Sequence, residues 1–248
     1  MSAPVFIAPE AADAVVGGVI TVTGGEARHA VTVQRRGVGE AVDLVNGAGR
    51  RARSRITAVG DGYFEAVVEG VSQDADAPVT LVQALAKGGR DEQAVEAAVE
   101  LGVTRVVPWA ASRSIAQWRG PKVAKGVSQW ESLCLAAAKQ SRRAHVPTVG
   151  ELVSTRELIV AVHGAATSGV KVLVLHEEAS RALTALEWKA KDQPVWLIVG
   201  PEGGISGEEI EALVAAGALA VRLGPHVLRT SSAGPAALAA LAALRGTW

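Results

Sequence analysis

A chain of 248 residues is too long for one small core and fits one large domain or two modest ones. With 49% hydrophobic and 20% charged residues it is expected to pack as a globular protein, and no apolar run, Val195–Val199 included, approaches the length of a membrane span. A single cysteine, Cys134, excludes an internal disulfide and fits a reducing cytoplasm; Met1-Ser2-Ala3-Pro4 has no basic segment before an apolar run, so no secretory signal is expected.

Formal net charge is zero, with 25 basic and 25 acidic residues, so the total does not advertise a nucleic-acid binder. The distribution is more telling. Arg28, Arg35, Arg36, Arg50, Arg51, Arg53 and Arg55 stand against only Glu40 and Asp43 in the same stretch. A local patch of this kind can hold phosphate on a neutral molecule, because screening makes nearby charge count most.

In chain order, residues 1–73 read as strands. Val19–Val22, Ala41–Val45, Arg53–Thr57 and Tyr63–Val68 are short and β-branched, separated by Gly-Gly, Asn46-Gly47 and Asp61-Gly62, which supply the positive φ of tight turns. Ala27–Val33 reads as a short helix. Strands at this spacing predict a small β-barrel. Residues 73–78 read as a linker.

The rhythm then changes. Val79–Leu85 and Thr104–Pro108 read as strands, Asp91–Leu101 as a helix stopped by Gly102, and Lys122–Ser141 as a long helix. Val170–Leu175, Val195–Val199 and Leu219–Leu223 read as further strands, each followed by a helical stretch. Continuous apolar strands between helices predict an α/β domain over 78–248 with a buried, mostly parallel sheet.

Ligands of such sheets bind beyond the carboxyl ends of the strands, and three loops there invite inspection. The first, Gly200-Pro201-Glu202-Gly203-Gly204, leads into Ser206 and Glu209, spaced as a capping box. Its glycines permit close backbone approach, but no Lys-Ser or Lys-Thr follows, so it is neither a P-loop nor a GxGxxG turn. The second runs Leu223-Gly224-Pro225-His226-Val227-Leu228-Arg229-Thr230-Ser231-Ser232; Thr230, Ser231 and Ser232 can each cap a helix, which leaves Arg229 unexplained except as a surface residue or a grip on phosphate or carboxylate. The third is Leu175-His176-Glu177-Glu178. His176 has no His or Cys at metal spacing, so no metal is expected.

The Gly200–Gly204 loop together with Leu223–Thr230 resembles the paired signature of bacterial 16S ribosomal RNA uridine-N3 methyltransferases of the SPOUT superfamily. The resemblance extends in order along nearly the whole chain. It includes Gly25–Ala30 with Val33–Gly37, Ala84–Arg90, Glu100–Val103, Ala138–Arg143 and Leu175–Ala179. It implies a PUA-like RNA-binding β-barrel over 1–73 and a trefoil-knotted domain over 78–248 that holds S-adenosylmethionine. It also implies a homodimer acting on 16S rRNA in the small subunit, in the cytoplasm, with no membrane or metal partner.

On this reading the cofactor lies against Leu175, His176, Glu177, Gly200, Pro201, Glu202, Gly203, Leu223, Gly224, Leu228, Thr230 and Ser231. Arg229 and Glu202 are the expected catalytic residues. Arg28, Arg35, Arg36, Arg50, Arg51 and Arg53, with Arg142 and Arg143, are the expected RNA contacts. The chain departs from the family at Ser231, where glutamate is common, which removes that carboxylate as a base, and at Gly88-Gly89, where a polar residue is common. The rival readings are a ribose 2′-O-methyltransferase of the same superfamily, a non-catalytic RNA-binding assembly factor, and a nucleotide-binding enzyme using Gly200–Gly204.

Overall fold

The computed structural model describes residues 3–248; Met1 and Ser2 of the opening tetrapeptide lie outside the described residues. The chain forms two units. One comprises the residues up to Ala75 with Ala138–Val146, the other Asp76–Ala137 with Pro147–Trp248.

The first unit contains β1 (Val5–Ile7), β2 (Val19–Thr23), α1 (Gly24–Arg28), β3 (Ala41–Val45), β4 (Arg50–Gly60) and β5 (Tyr63–Gln73), in the sheet order β1-β3-β4-β5-β2. Period-two alternation sends one face of each strand inward. Phe6, Ile20, Val22, Val42, Leu44, Ile56 and Phe64 meet there in a single cluster, with Phe6 edge-on to Phe64 at 5.9 Å. β1 pairs with β3 and β2 with β5, and no ladder joins β1 to β2 among the described residues. The predicted barrel is therefore a sheet curled around its core, with two edges. β4 and β5 outrun the predicted strands, because their ladder continues through register shifts at Arg53/Ser54 and Ile56/Ala58. The turns fall where expected, with Gly47 and Gly62 at φ 79° and 75°. The predicted helix over 27–33 begins earlier, as α1, and finishes as a single π-helical stretch, His29–Val33.

The predicted division of the chain needs one correction. Residues 138–146 were expected in the second domain, yet they pack with the first unit. Ala144 is buried with Val5 and Val45, its carbonyl accepts from Gly49 N at 3.0 Å, and Val146 N donates to the Gly47 carbonyl at 2.9 Å.

The second unit contains β6 (Val79–Ala84), α2 (Arg90–Glu100), β7 (Arg105–Ala110), α3 (Pro121–Gln140, ending in the first unit), β8 (Thr148–Val149), β9 (Val153–Ser154), α4 (Thr155–Thr167), β10 (Lys171–Leu175), β11 (Val195–Val199), α5 (Gly207–Ala215), β12 (Leu219–Val221) and α6 (Thr230–Arg245). The strands pair in parallel in the order β12-β10-β11-β6-β7-β8, with β9 also on β7. β6 is buried along its whole length, its two polar residues Thr80 and Gln83 included. α4 and α5 cover one part of the sheet through Leu158, Val162 and Leu213. α6 packs against β6 and β11 at Gly234, where a Cβ would come within 3.0 Å of Leu81 Cδ1.

Two predictions fail locally. β10 is not followed by a helix; residues 176–194 form a connection whose one regular piece is the 3₁₀ turn Leu183–Ala185. α4 was not anticipated, although Ser154 and Glu157 give it a full capping box. After β12 the chain lies along the 176–194 connection: Arg222 N donates to the Arg181 carbonyl at 2.8 Å, and Leu183 N to the Arg222 carbonyl at 2.9 Å. It then returns to the middle of the sheet to begin α6. Such a return is what a trefoil crossing requires. No helix among the described residues is long and apolar enough to cross a membrane.

Candidate active site

Parallel pairing puts the carboxyl ends of β6, β7, β10 and β11 along one edge. The three loops singled out in the sequence meet at that edge around a cleft of about 380 Å³. Leu175, His176 and Glu177 enter from β10, Gly200, Pro201 and Glu202 from β11, and Leu228, Arg229 and Thr230 from the stretch before α6; Arg90 of α2 completes the wall. A smaller recess beside it adds Leu223 and Gly224. Gly203 and Ser231 do not line the cleft.

The glycine-rich loop is shaped by close packing. A Cβ on Gly200 would stand 2.5 Å from Ile205 Cγ1, and Gly204 closes the turn at φ 72°, its N–H donating to the Pro201 carbonyl at 3.0 Å. Ser206 and Glu209 then form the predicted capping box of α5.

At the start of α6 the hydroxyls do not cap. Arg229 occupies the N-cap position without a side-chain cap bond. Thr230 instead donates from Oγ1 to the Gly200 carbonyl at 2.6 Å and accepts from Gln83 Nε2 at 2.9 Å. This buried pair of bonds ties β6, the Gly200 loop and α6 together. The reason is burial: Thr230 is enclosed, and its hydroxyl must find partners where it lies. Arg229 is exposed and forms no ion pair among the described residues. His176 Nδ1 accepts from Glu178 N at 3.3 Å, which sets its ring.

Glu202 is held from one side. Its Oε1 accepts from Lys87 N at 3.0 Å and from Arg90 Nη1 at 3.2 Å. Its Oε2 is buried with no partner, on a side chain only 17% exposed. Behind it lies Asp91, whose Oδ2 accepts from Ala86 N. Burial pushes the Asp91 carboxyl above its usual range and the charge of Glu202 adds to this, outweighing the N–H bonds from Ala86 and Glu92. Val199, Ile205 and Leu228 give the cleft an apolar bed for a flat ring. No cluster of three or more His, Cys, Asp or Glu side chains suited to a metal occurs among the described residues.

Sequence reading missed Gln83, Arg90 and Asp91 as parts of the site. Arg90 stood in a quoted motif, but nothing local says that it faces a carboxylate 112 residues away.

In the first unit the structure separates the expected RNA contacts. Arg28, Arg35 and Arg53 reach solvent, as does Arg142, while Arg143 is half-buried. Arg36 pairs with Glu40 at 3.0 Å. Arg50 donates to the Ala14 carbonyl at 3.1 Å. Arg51 is 14% exposed, paired with Asp43 at 2.7 Å and Asp74 at 2.6 Å, and donates to the Arg142 carbonyl at 2.8 Å. Its guanidinium is thus spent inside the fold, and its place among the RNA contacts is withdrawn.

Comparison with known proteins decides the family. Residues 73–242 match the model of an RNA methyltransferase domain, and residues 22–69 that of an RNA methyltransferase PUA domain. This chain belongs to the RNA methyltransferase family. Among relatives of this RNA methyltransferase, the ribosomal RNA small subunit methyltransferase E of Mycobacterium bovis is 43% identical over 94% of this chain and 89% of its own. That of Bacillus subtilis is 28% identical over 89% and 88%. The structure of ribosomal RNA small subunit methyltransferase E from Neisseria gonorrhoeae, bound to S-adenosyl methionine, superposes with a TM-score of 0.83 at 28% identity, covering 100% of this chain and 98% of that one. The methyltransferase fold is of the SPOUT type, with a β-rich PUA domain at its N-terminal end.

Proposed function

We propose that this protein methylates N3 of a uridine in 16S rRNA of the small ribosomal subunit, using S-adenosylmethionine. The observation that carries the reading is the meeting of the three loops around one cleft, with Arg229 exposed at its rim and Glu202 in its wall. The names of the relatives supply the substrate class, and the resemblance supplies the N3 atom.

When bound, S-adenosylmethionine supplies an electrophilic methyl group. Leu175, Leu228 and the Gly200–Glu202 backbone would hold it. The residues of the chain have two further tasks. Uracil N3 carries a proton, which must leave as the new N–CH₃ bond forms, and the base must first be drawn out of any pairing. An imide N–H is a far weaker acid than a carboxylic acid, so a carboxylate alone makes a poor base. Arg229 would lower that cost by binding the negative charge that develops on the uracil oxygens. Glu202, in the cleft wall, would take the proton as transfer proceeds.

The exposed apolar side chains Val227, Leu228, Leu244 and Trp248 support pairing of two copies. We propose a homodimer, checked by sedimentation, acting in the cytoplasm where its ribosomal substrate is. The reaction is tested with labelled S-adenosylmethionine and small subunits that lack the modification, followed by nucleoside analysis. A single 3-methyluridine product is expected. A ribose-methylated product would move the reading to 2′-O transfer.

A further inference from the structure

The segment between β7 and α3 plays no part in the cleft described above, yet it leaves the sheet at the same edge. It is fastened there twice. Glu209 accepts from Ser112 N at 2.9 Å and from Ser112 Oγ at 2.8 Å. Arg113 then lies on the cofactor loop: its Nη1 donates to the Gly203 carbonyl at 3.2 Å, and a Cβ on Gly203 would come within 3.2 Å of Arg113 Cβ. Gly203 is therefore shaped for this strap rather than for the cleft.

What the strap offers to solvent is specific. Arg113 is exposed, uses one of its guanidinium N–H groups on Gly203, and forms no ion pair among the described residues. Ile115, two residues on, is 65% exposed, beyond a turn closed by Ser114 N on the Ala111 carbonyl at 3.0 Å. An arginine with guanidinium N–H groups to spare beside an apolar side chain matches an unpaired nucleotide, with its phosphate and an unstacked base face.

We propose that Arg113 and Ile115 are RNA contacts of the catalytic unit: Arg113 holds a phosphate next to the target nucleotide, and Ile115 covers a neighbouring base. This rests on the RNA-methylating reading above.

The test uses the full chain and its Arg113→Ala, Arg113→Lys and Ile115→Asp variants. Methyl transfer to unmodified small subunits is followed over a range of salt, with S-adenosylmethionine affinity and RNA-fragment binding measured in parallel. Arg113→Ala should raise KM for the subunit about tenfold and lower the salt slope of RNA binding by roughly one. Its S-adenosylmethionine affinity should stay near wild type, and Arg113→Lys should restore the salt slope. Ile115→Asp should weaken RNA binding as well. Wild-type KM and salt slope in Arg113→Ala would overturn the proposal. So would a change confined to S-adenosylmethionine affinity, which makes the strap a brace for the loop, or an altered sedimentation mass in Ile115→Asp, which makes Ile115 a contact between copies. If the wild type transfers no methyl group but binds RNA through Arg113, the methylation reading falls and the strap stands; if it neither transfers nor binds, both fall.

Discussion

Gln83 Nε2 donates to Thr230 Oγ1 at 2.9 Å across 147 residues of chain, and the same hydroxyl donates onward to the Gly200 carbonyl at 2.6 Å. Thr230→Val keeps the shape of the side chain and removes both bonds. The part-buried Gly200 carbonyl and one of the two Gln83 Nε2 N–H groups, the other still on the Ala84 carbonyl, would lose their partner, so urea unfolding should show a loss of about 1–3 kcal/mol. KM for S-adenosylmethionine should rise as well, since the Gly200 loop loses its anchor. Thr230→Ser should recover most of both.

Gly200→Ala tests the same loop from its other side. The added methyl stands 2.5 Å from Ile205 Cγ1, so the loop must move. S-adenosylmethionine binding, measured by calorimetry, should fall by tenfold or more. Retained affinity would show that the cofactor does not lean on this turn.

Arg51→Ala removes one guanidinium shared by Asp43 and Asp74 and leaves two carboxylates facing each other. Because Arg51 is mostly enclosed, a loss of about 2–3 kcal/mol in unfolding free energy is expected. RNA binding by the protein that remains folded should keep its salt slope. Arg53→Ala should do the reverse, with stability kept and the slope reduced.

The arginines were the part of the sequence most easily misread. A count treats Arg51 and Arg53 alike, and only the partners of Arg51, one on β3 and one beyond β5, distinguish them. The strands and the glycine-rich loop were legible because their signals are local: a mostly apolar run for β6, an unbroken one for β11, and a capping box that placed the start of α5. What stayed hidden depends on distant partners. The three hydroxyls after Arg229 read as caps, since nothing nearby reveals Gln83. The strand ending at Leu175 read as leading into a helix, but Arg181 and Leu183 of the following segment are held by backbone bonds to Arg222 instead. The return of residues 138–146 to the first unit rests on Ala144, a residue with no signal of its own.

Glu209 carries a pH prediction. Burial raises its pKa, but hydrogen bonds from Ser112, Thr155 and Ser206 outweigh this and hold it below 4.5. A depressed folded-state pKa contributes stability that is present above the unfolded value and lost as pH falls through the folded one. Glu209→Gln should therefore cost about 1–3 kcal/mol at pH 7 and less at pH 3, read from unfolding curves at both. Asp91 works in the opposite sense. Its raised pKa favours the folded state below 3.8, and that contribution fades as pH climbs through the folded value.

Arg35 and Arg142 have φ of 55° and 59°, a backbone region that costs an L-residue about 1 kcal/mol. Arg142→Asn should relieve part of that cost and raise the unfolding midpoint slightly. If its side chain meets RNA, the same change should lower the salt slope. A stabilised variant with unchanged RNA binding would remove Arg142 from the interface.

The bond between Gln83 and Thr230 also makes the cleft conditional on the last helix. A chain in which the start of α6 has not docked can already hold β6 against β7, but it has no cleft, because Thr230 and Arg229 are not yet in the wall. The methyl donor can bind only the finished fold. At a hundred times its Kd it would stabilise that fold by about 2.7 kcal/mol. Donor binding would then protect the folded enzyme against unfolding as well as feed its reaction.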